Sequence, residues 1–188
     1  MTDQPADHHM DHLYTPWRMT YLQTNDPRPK DPTQCIFCYK ATLHDEADLK
    51  AELIVARSQH VYVTLNLYPY NNGHLMVIPY EHVASMELLA AEALTDLMLT
   101  ANRAMTLLRQ IYNPHAFNVG ANIGAAAGAG IAAHFHLHIV PRWSGDSNYM
   151  SVVADTRVIP DKLETTWRKL YDAWHGQSTP ETSVNTAT

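Results

Sequence analysis

Residues 131–140 read IAAHFHLHIV, with His134, His136 and His138 at alternate positions and Phe135, Leu137 and Ile139 between or beyond them. Strict alternation is a strand pattern, because successive side chains of an extended chain point to opposite faces. One face is apolar and packs into a core; the other carries three imidazoles about 6.5–7 Å apart. They can line a single pocket edge, backed by a rigid element. Packing explains such a run poorly, since histidine is only an intermediate core residue. With an unperturbed pKa of about 6.5, imidazole is largely a neutral nucleophile at working pH and a good leaving group once protonated. A histidine can therefore attack a phosphoryl centre, hold the group as a phosphoramidate and pass it to a second acceptor.

Val61–Leu65 and residues 74–78 are apolar, β-branched runs separated by Pro69, Asn71, Asn72 and Gly73, which predicts two strands and a turn. Between residues 85 and 112, Leu94, Leu97, Met98, Ala101, Met105, Leu108 and Tyr112 recur with a helical period. Ser85 is placed to cap that helix and Asn113-Pro114 to end it. Residues 116–121 read as another strand, and residues 122–130, NIGAAAGAG, as a glycine- and alanine-rich loop before the histidines. Pro160 suits the first turn of a helix bearing Leu163, Trp167, Leu170, Tyr171 and Trp174. The expectation is an α+β fold: an antiparallel sheet with one long helix and a C-terminal helix. The chain's 188 residues, 46% hydrophobic, suffice for one core. We place it at residues 13–175, between disordered polar tails at 1–12 and 176–188.

A net charge of −6 argues against a duplex nucleic acid partner, which calls for basic stripes. No apolar run approaches the roughly 18 residues of a membrane helix, and the acidic, histidine-rich start does not resemble an export signal. The cytoplasm is the expected location. Cys35 and Cys38 are the only cysteines, so no disulfide framework exists and the C-x-x-C spacing points to metal or redox chemistry. Two thiolates with two later histidines suit tetrahedral zinc, closed to water and therefore structural. A redox pair would sit at a helix start after a strand, and Pro32 with the polar run before it argues against that strand.

The segment His134–Val140, H-F-H-L-H-I-V, resembles the motif of the histidine triad family. Asn66 followed by Gly73-His74-Leu75-Met76-Val77-Ile78-Pro79 resembles the family's nucleotide-side strand pair, and the likeness runs from about Tyr14 to Trp174. PWRM at 16–19 and PRWSGDSNYM at 141–150 resemble the branch of bacterial diadenosine tetraphosphate phosphorylases, or ATP adenylyltransferases. The resemblance implies that His136 is the nucleophile that carries AMP, that His138 contacts the phosphate, and that Asn66 binds the ribose hydroxyls. It places Asn122 near the phosphate or scissile oxygen. It also pairs Cys35 and Cys38 with His82 and His134 around zinc, with His74 as the competing fourth ligand. A homodimer built on the long helix and a continuous sheet is implied as well.

The chain departs from the animal hydrolase and phosphoramidase branches just before the triad. Where they carry glutamine and then serine or threonine, it has Gly128-Ala129-Gly130-Ile131. Backbone N–H groups of Gly128, Ala129 and Gly130 can replace the missing side-chain contacts, because a bare backbone approaches an anion closely. This loop and the 141–150 segment favour phosphorolysis, with a nucleotide substrate and inorganic phosphate as AMP acceptor. A hydrolase, an adenosine phosphoramidase and a non-catalytic zinc-stabilised nucleotide-binding module are the alternatives. Arg142 is available to a distal phosphate. Trp17, Arg18, Trp143 and Asp146 are expected to complete the core or a subunit contact.

Overall fold

The computed structural model describes residues 35–146 and 161–176. PWRM at 16–19, the end of the PRWSGDSNYM segment, Pro160 and, apart from Gly176, both expected tails lie outside the described residues. Two short helices, α1 (Ile36–Ala41) and α2 (Glu46–Ala51), precede strands β1 (Ile54–Arg57), β2 (Val61–Leu65) and β3 (Leu75–Pro79). Helix α3 (Ala91–Tyr112) follows, then β4 (Ala116–Gly120), β5 (Leu137–Arg142) and α4 (Leu163–His175). All strand pairs are antiparallel, in the order β1-β2-β3-β5-β4.

Central strands β2 and β3 are buried along their whole length, which explains why they read as continuous apolar runs rather than alternating ones. Val61, Val63, Leu65, Leu75 and Val77 turn to one face, where α3 and α4 supply Leu97, Leu108, Trp167 and Leu170. Tyr62, Met76 and Ile78 turn to the other and meet Phe37 of α1. Alanines at 93, 101 and 104 in the buried stripe of α3 let the helix lie close to the sheet. Trp167 adds a hydrogen bond from its indole N–H to the Ile54 carbonyl, at 2.8 Å, so the C-terminal helix is tied to β1 as well as packed on it.

The long helix starts later than the sequence suggests. Ser85 precedes a separate 3-10 turn at Met86–Leu88 and its hydroxyl bonds Glu87, while α3 begins after Ala90 with no side-chain cap. Its end is as expected, with Asn113 in the left-handed conformation at φ 44°. Met98, counted in the apolar stripe, is 55% exposed. The histidine strand also differs: ladder pairing begins at Leu137, because the Phe135 N–H donates to the Val83 carbonyl at 2.6 Å instead of to β3. Alternation survives through that extended stretch. Phe135, Leu137 and Ile139 enter the core under the helices, and His134, His136 and His138 face the other way.

Helices α1 and α2 have no legible period, being six residues each. Tertiary contacts hold α1: Tyr62 Oη donates to the Phe37 carbonyl at 2.9 Å, and the Arg57 guanidinium donates to the carbonyls of Lys40, Ala41 and Leu43 at its C-terminal end.

The turn before β3 depends on Gly73, whose φ is +72° and where an added Cβ would lie 2.9 Å from Leu108 Cδ2. Gly73→Ala should therefore cost about 1–2 kcal/mol through the left-handed backbone alone, and more through displaced Leu108. Urea midpoints within error of the parent would contradict this.

Candidate active site and metal centre

A pocket opens on the sheet face opposite α3, between β3, β5, α1 and the glycine loop. Asn66, Asn122, Gly128, Gly130, His136 and His138 line it, together with Ile36, Phe37 and Tyr70 among others. The structure thus brings together every predicted pocket residue except Ala129, which lies between two lining glycines. The N–H groups of Gly128 and Ala129 bond carbonyls of their own loop, at Ala125 (3.0 Å) and Gly124 (3.4 Å), so an anion there competes with these bonds.

Main-chain groups determine which ring nitrogen of each histidine carries a proton, since a carbonyl only accepts and an amide N–H only donates. His136 Nδ1 lies 2.9 Å from the His134 carbonyl, so Nδ1 is the protonated nitrogen and Nε2 keeps its lone pair. The Tyr70 backbone N–H donates to His74 Nδ1 at 3.0 Å, which leaves the proton of neutral His74 on Nε2. That Nε2 is 2.9 Å from His138 Nδ1, which must accept. The proton of neutral His138 is therefore on Nε2. Side by side, with ring centroids 4.8 Å apart, the pocket holds one imidazole with a bare nitrogen and one with an N–H donor.

Burial keeps these rings neutral. His74, wholly buried, is held down to about 3 by desolvation first and then by His138 and His136. His138 is lowered to about 4 by burial and by His136. Burial also lowers His136, against the opposing effect of its bond to the His134 carbonyl.

His134 turns out of the pocket. Its Nε2–H donates to the Pro79 carbonyl at 2.9 Å, freeing Nδ1 to face Cys35, Cys38 and His82. Nδ1 is 3.3 Å from Cys35 Sγ, 3.5 Å from Cys38 Sγ and 3.2 Å from His82 Nδ1, and Cys38 Sγ is 3.2 Å from His82 Nδ1. All four donor atoms lie within 4.8 Å of one another. This cluster could hold a metal ion. His74, the competing ligand, lies instead in the His138 network.

Arg142 does not point at a free phosphate position. Its Nε and Nη2 form a fork on Asp146, at 2.6 and 2.8 Å, and Nη1 donates to Asn118 Oδ1 at 2.7 Å. Asp146 also accepts from Asn71 Nδ2 at 2.9 Å. Sequence reading missed this clasp and the contribution of Tyr70. The spacing of Arg142 and Asp146, four residues apart in a non-helical segment, gave no signal for a fork.

The five-stranded antiparallel sheet thus presents alternate histidines, two of them to a pocket and His134 to the thiol cluster. The HIT domain family model matches residues 47–145, and the chain belongs to the histidine triad (HIT) family. A Mycobacterium tuberculosis protein named "AP-4-A phosphorylase" is 41% identical over 170 residues, 88% of this chain and 85% of the relative. A Schizosaccharomyces pombe "Bis(5'-nucleosyl)-tetraphosphatase [asymmetrical]" is 29% identical over 127 residues, 65% of this chain and 68% of that protein. In fold, the chain resembles a zinc-bound histidine triad family protein from Mycobacterium smegmatis, with a TM-score of 0.60 and 24% identity over 76% of this chain and 94% of that one. No helix among the described residues is long and apolar enough to cross a membrane.

The low pKa of His74 has a measurable consequence. The unfolded chain takes up this proton at about 6.5 and the folded chain only near 3, so the contribution to stability is intact above pH 6.5 and is lost as pH falls towards 3. At pH 5 the loss from this ring is about 2 kcal/mol. Urea unfolding at pH 7 and pH 5 should show a drop smaller by that amount in His74→Gln; an identical drop in both proteins would refute the assignment.

Proposed function

We propose that this chain cleaves diadenosine polyphosphates by transferring AMP through His136 to inorganic phosphate. The observation that carries the reading is the bare Nε2 of His136 beside the Nε2–H of His138 in one pocket. The identity to the named phosphorylase, over most of both chains, supports the choice of substrate.

In this reading the His136 Nε2 lone pair forms a bond to the α-phosphorus, and the bond from phosphorus to the bridging oxygen breaks. The leaving nucleotide departs with that electron pair; from diadenosine tetraphosphate it is ATP. His136 now carries AMP, and its cationic ring is the leaving group for the second step. A phosphate oxygen attacks the same phosphorus, the N–P bond breaks, and ADP leaves. His138 donates its Nε2–H to a phosphate oxygen where negative charge grows. Asn66 binds the ribose hydroxyls, Asn122 lies towards the scissile oxygen, and Gly128, Ala129 and Gly130 border the phosphates.

The donor set suits zinc. A tetrahedral ion with roughly 2.3 Å to sulfur and 2.0 Å to nitrogen holds its ligands about 3.3–3.8 Å apart, close to the separations around His134 Nδ1. The Pro79 carbonyl on the far nitrogen of His134 is the outer contact a metal-bound imidazole needs. Cys35, Cys38, His82 and His134 would complete four ligands, leaving no position for substrate. An ion bound there would supply rigidity and favour the thiolate of Cys38, whose thiol burial and Cys35 push up to about 11. A homodimer is part of the proposal. Edge strand β4, with Ala116, Asn118, Val119 and Gly120 exposed, offers a partner a continuous sheet.

Incubation with diadenosine tetraphosphate should yield ADP and ATP only when phosphate is present; AMP and ATP regardless of phosphate would make the enzyme a hydrolase. His136→Ala should lower kcat on the order of 10³-fold without loss of folding. Protein prepared without chelator should carry one zinc per chain, and Cys38→Ser should lose the metal and several degrees of Tm. A metal-free parent of unchanged Tm would remove the zinc assignment.

A further inference from the structure

We propose that Asp146 is a positioning residue for His138, acting through Asn71 and the Tyr70 amide to fix which nitrogen of that ring presents a proton to the pocket. The chain of contacts is continuous. Asp146 is nearly buried, its side chain 11% exposed, and Arg142 holds it from two sides. Its Oδ2 accepts from Asn71 Nδ2 at 2.9 Å and from the Trp143 N–H at 3.2 Å. Asn71 is the residue after Tyr70, in the turn that precedes β3. Its other side-chain atom, Oδ1, accepts the Asn72 N–H at 3.0 Å, and its carbonyl accepts the His74 N–H at 3.2 Å. With both ends of the amide engaged, Asn71 has one rotamer, and the turn around it one shape.

That shape aims the Tyr70 N–H at His74 Nδ1, and the proton positions of His74 and His138 follow from this bond. If the turn relaxes, His74 Nδ1 keeps only the longer contact from Asn66 Nδ2, at 3.4 Å, and is held as an acceptor far less firmly. The ring can then carry its proton on either nitrogen, and His138 Nδ1 can become the protonated one. His138 would turn a lone pair, rather than an N–H, towards the phosphate. Asp146 is suited to hold the turn because it is a pure acceptor. Two oxygens satisfy the Arg142 fork, the Asn71 amide and the Trp143 N–H together, whereas an asparagine offers one oxygen and an NH2 that confronts another donor. The fork anchors this acceptor to β5, and Asn118 on β4 holds the remaining guanidinium nitrogen. The turn carrying Tyr70 is thus referenced to the strand that carries His138.

The part of the test that reads turnover rests on the AMP-transfer reading; the part that reads the ring does not. Two-bond 15N–1H correlations of the full chain should show His138 protonated on Nε2 and bare on Nδ1. In Asp146→Asn the other tautomer should appear. Turnover of diadenosine tetraphosphate should fall about tenfold in kcat, a loss of the size seen when an outer contact of an active group is removed, with KM changed less than about twofold. Asn71→Ala breaks the same link while leaving the Arg142–Asp146 fork, and should reproduce both effects; the double variant should be no worse than either single one. A clasp of merely structural importance would lower Tm and leave the ring pattern unaltered. That result, or additive losses in the double variant, overturns the proposal.

Discussion

Each imidazole around the pocket has one ring nitrogen engaged by the main chain, directly or through one neighbour. The Pro79 carbonyl takes the His134 Nε2 proton, the His134 carbonyl takes the His136 Nδ1 proton, and the Tyr70 amide fills His74 Nδ1, which sets His138 in turn. Because these partners can only accept or only donate, no side-chain rearrangement inverts the pattern while the backbone stays in place. The result is three triad rings with different free atoms: a bare Nδ1 at the thiol cluster, a bare Nε2 in the pocket and an N–H beside it. This depends on the pairing of β3 with β5, where Met76 lies opposite His138 and Val77 opposite Leu137. A slip of one residue would turn the imidazoles into the core and Leu137 and Ile139 into the pocket.

Holding buried rings neutral has a cost that the fold must offset. His74 and His138 both lie far below the ordinary imidazole range, and solvent would favour their protonated forms in mild acid. The offset comes from the sheet itself. β2 and β3 bury every side chain, and α3 and α4 seal one face with leucines, alanines and two tryptophans. An imidazole that is neutral by burial rather than by solution pH keeps its lone pair over a wider range, as the proposed attack on phosphorus requires.

Much of this was legible in the sequence, and the parts that were not share a cause. The alternation at 134–139 gave the face on which the histidines lie, because side-chain period depends on an extended backbone and not on ladder hydrogen bonds. The cysteine spacing pointed to metal or redox chemistry, and the family resemblance added His82 and His134, which the fold brings to the two thiols from distant positions. Illegible features were set by side-chain contacts that only the folded backbone brings about. The start of α3 shifted because Ser85 bonds Glu87 in a separate turn, and the helix begins after Ala90 with no side-chain cap. Arg142 read as a phosphate ligand because a free guanidinium suits one, and only the fold shows that Asp146 and Asn118 use its donors. Helices α1 and α2, too short to show a period, exist through contacts with Tyr62 and Arg57 and through packing on β1.

The thiol cluster and the pocket are mechanically one object. Ile36 and Phe37 lie between Cys35 and Cys38 in the sequence, and both line the pocket, so any restraint on the two sulfurs is a restraint on its wall. Phe37 packs against both His134 and His136, with ring centroids at 5.5 and 5.0 Å. His134 reaches the cluster through its side chain and His136 through its carbonyl. A six-residue helix cannot hold that geometry by itself; Arg57 and Tyr62 hold its carbonyls and Phe37 its buried side. The two sulfurs meet His134 from 96 or more residues away along the chain. A metal ion there would join the pocket wall formed by Ile36 and Phe37 to the histidine segment that carries His136. Its influence on the reaction would then be felt through geometry, without contact to substrate.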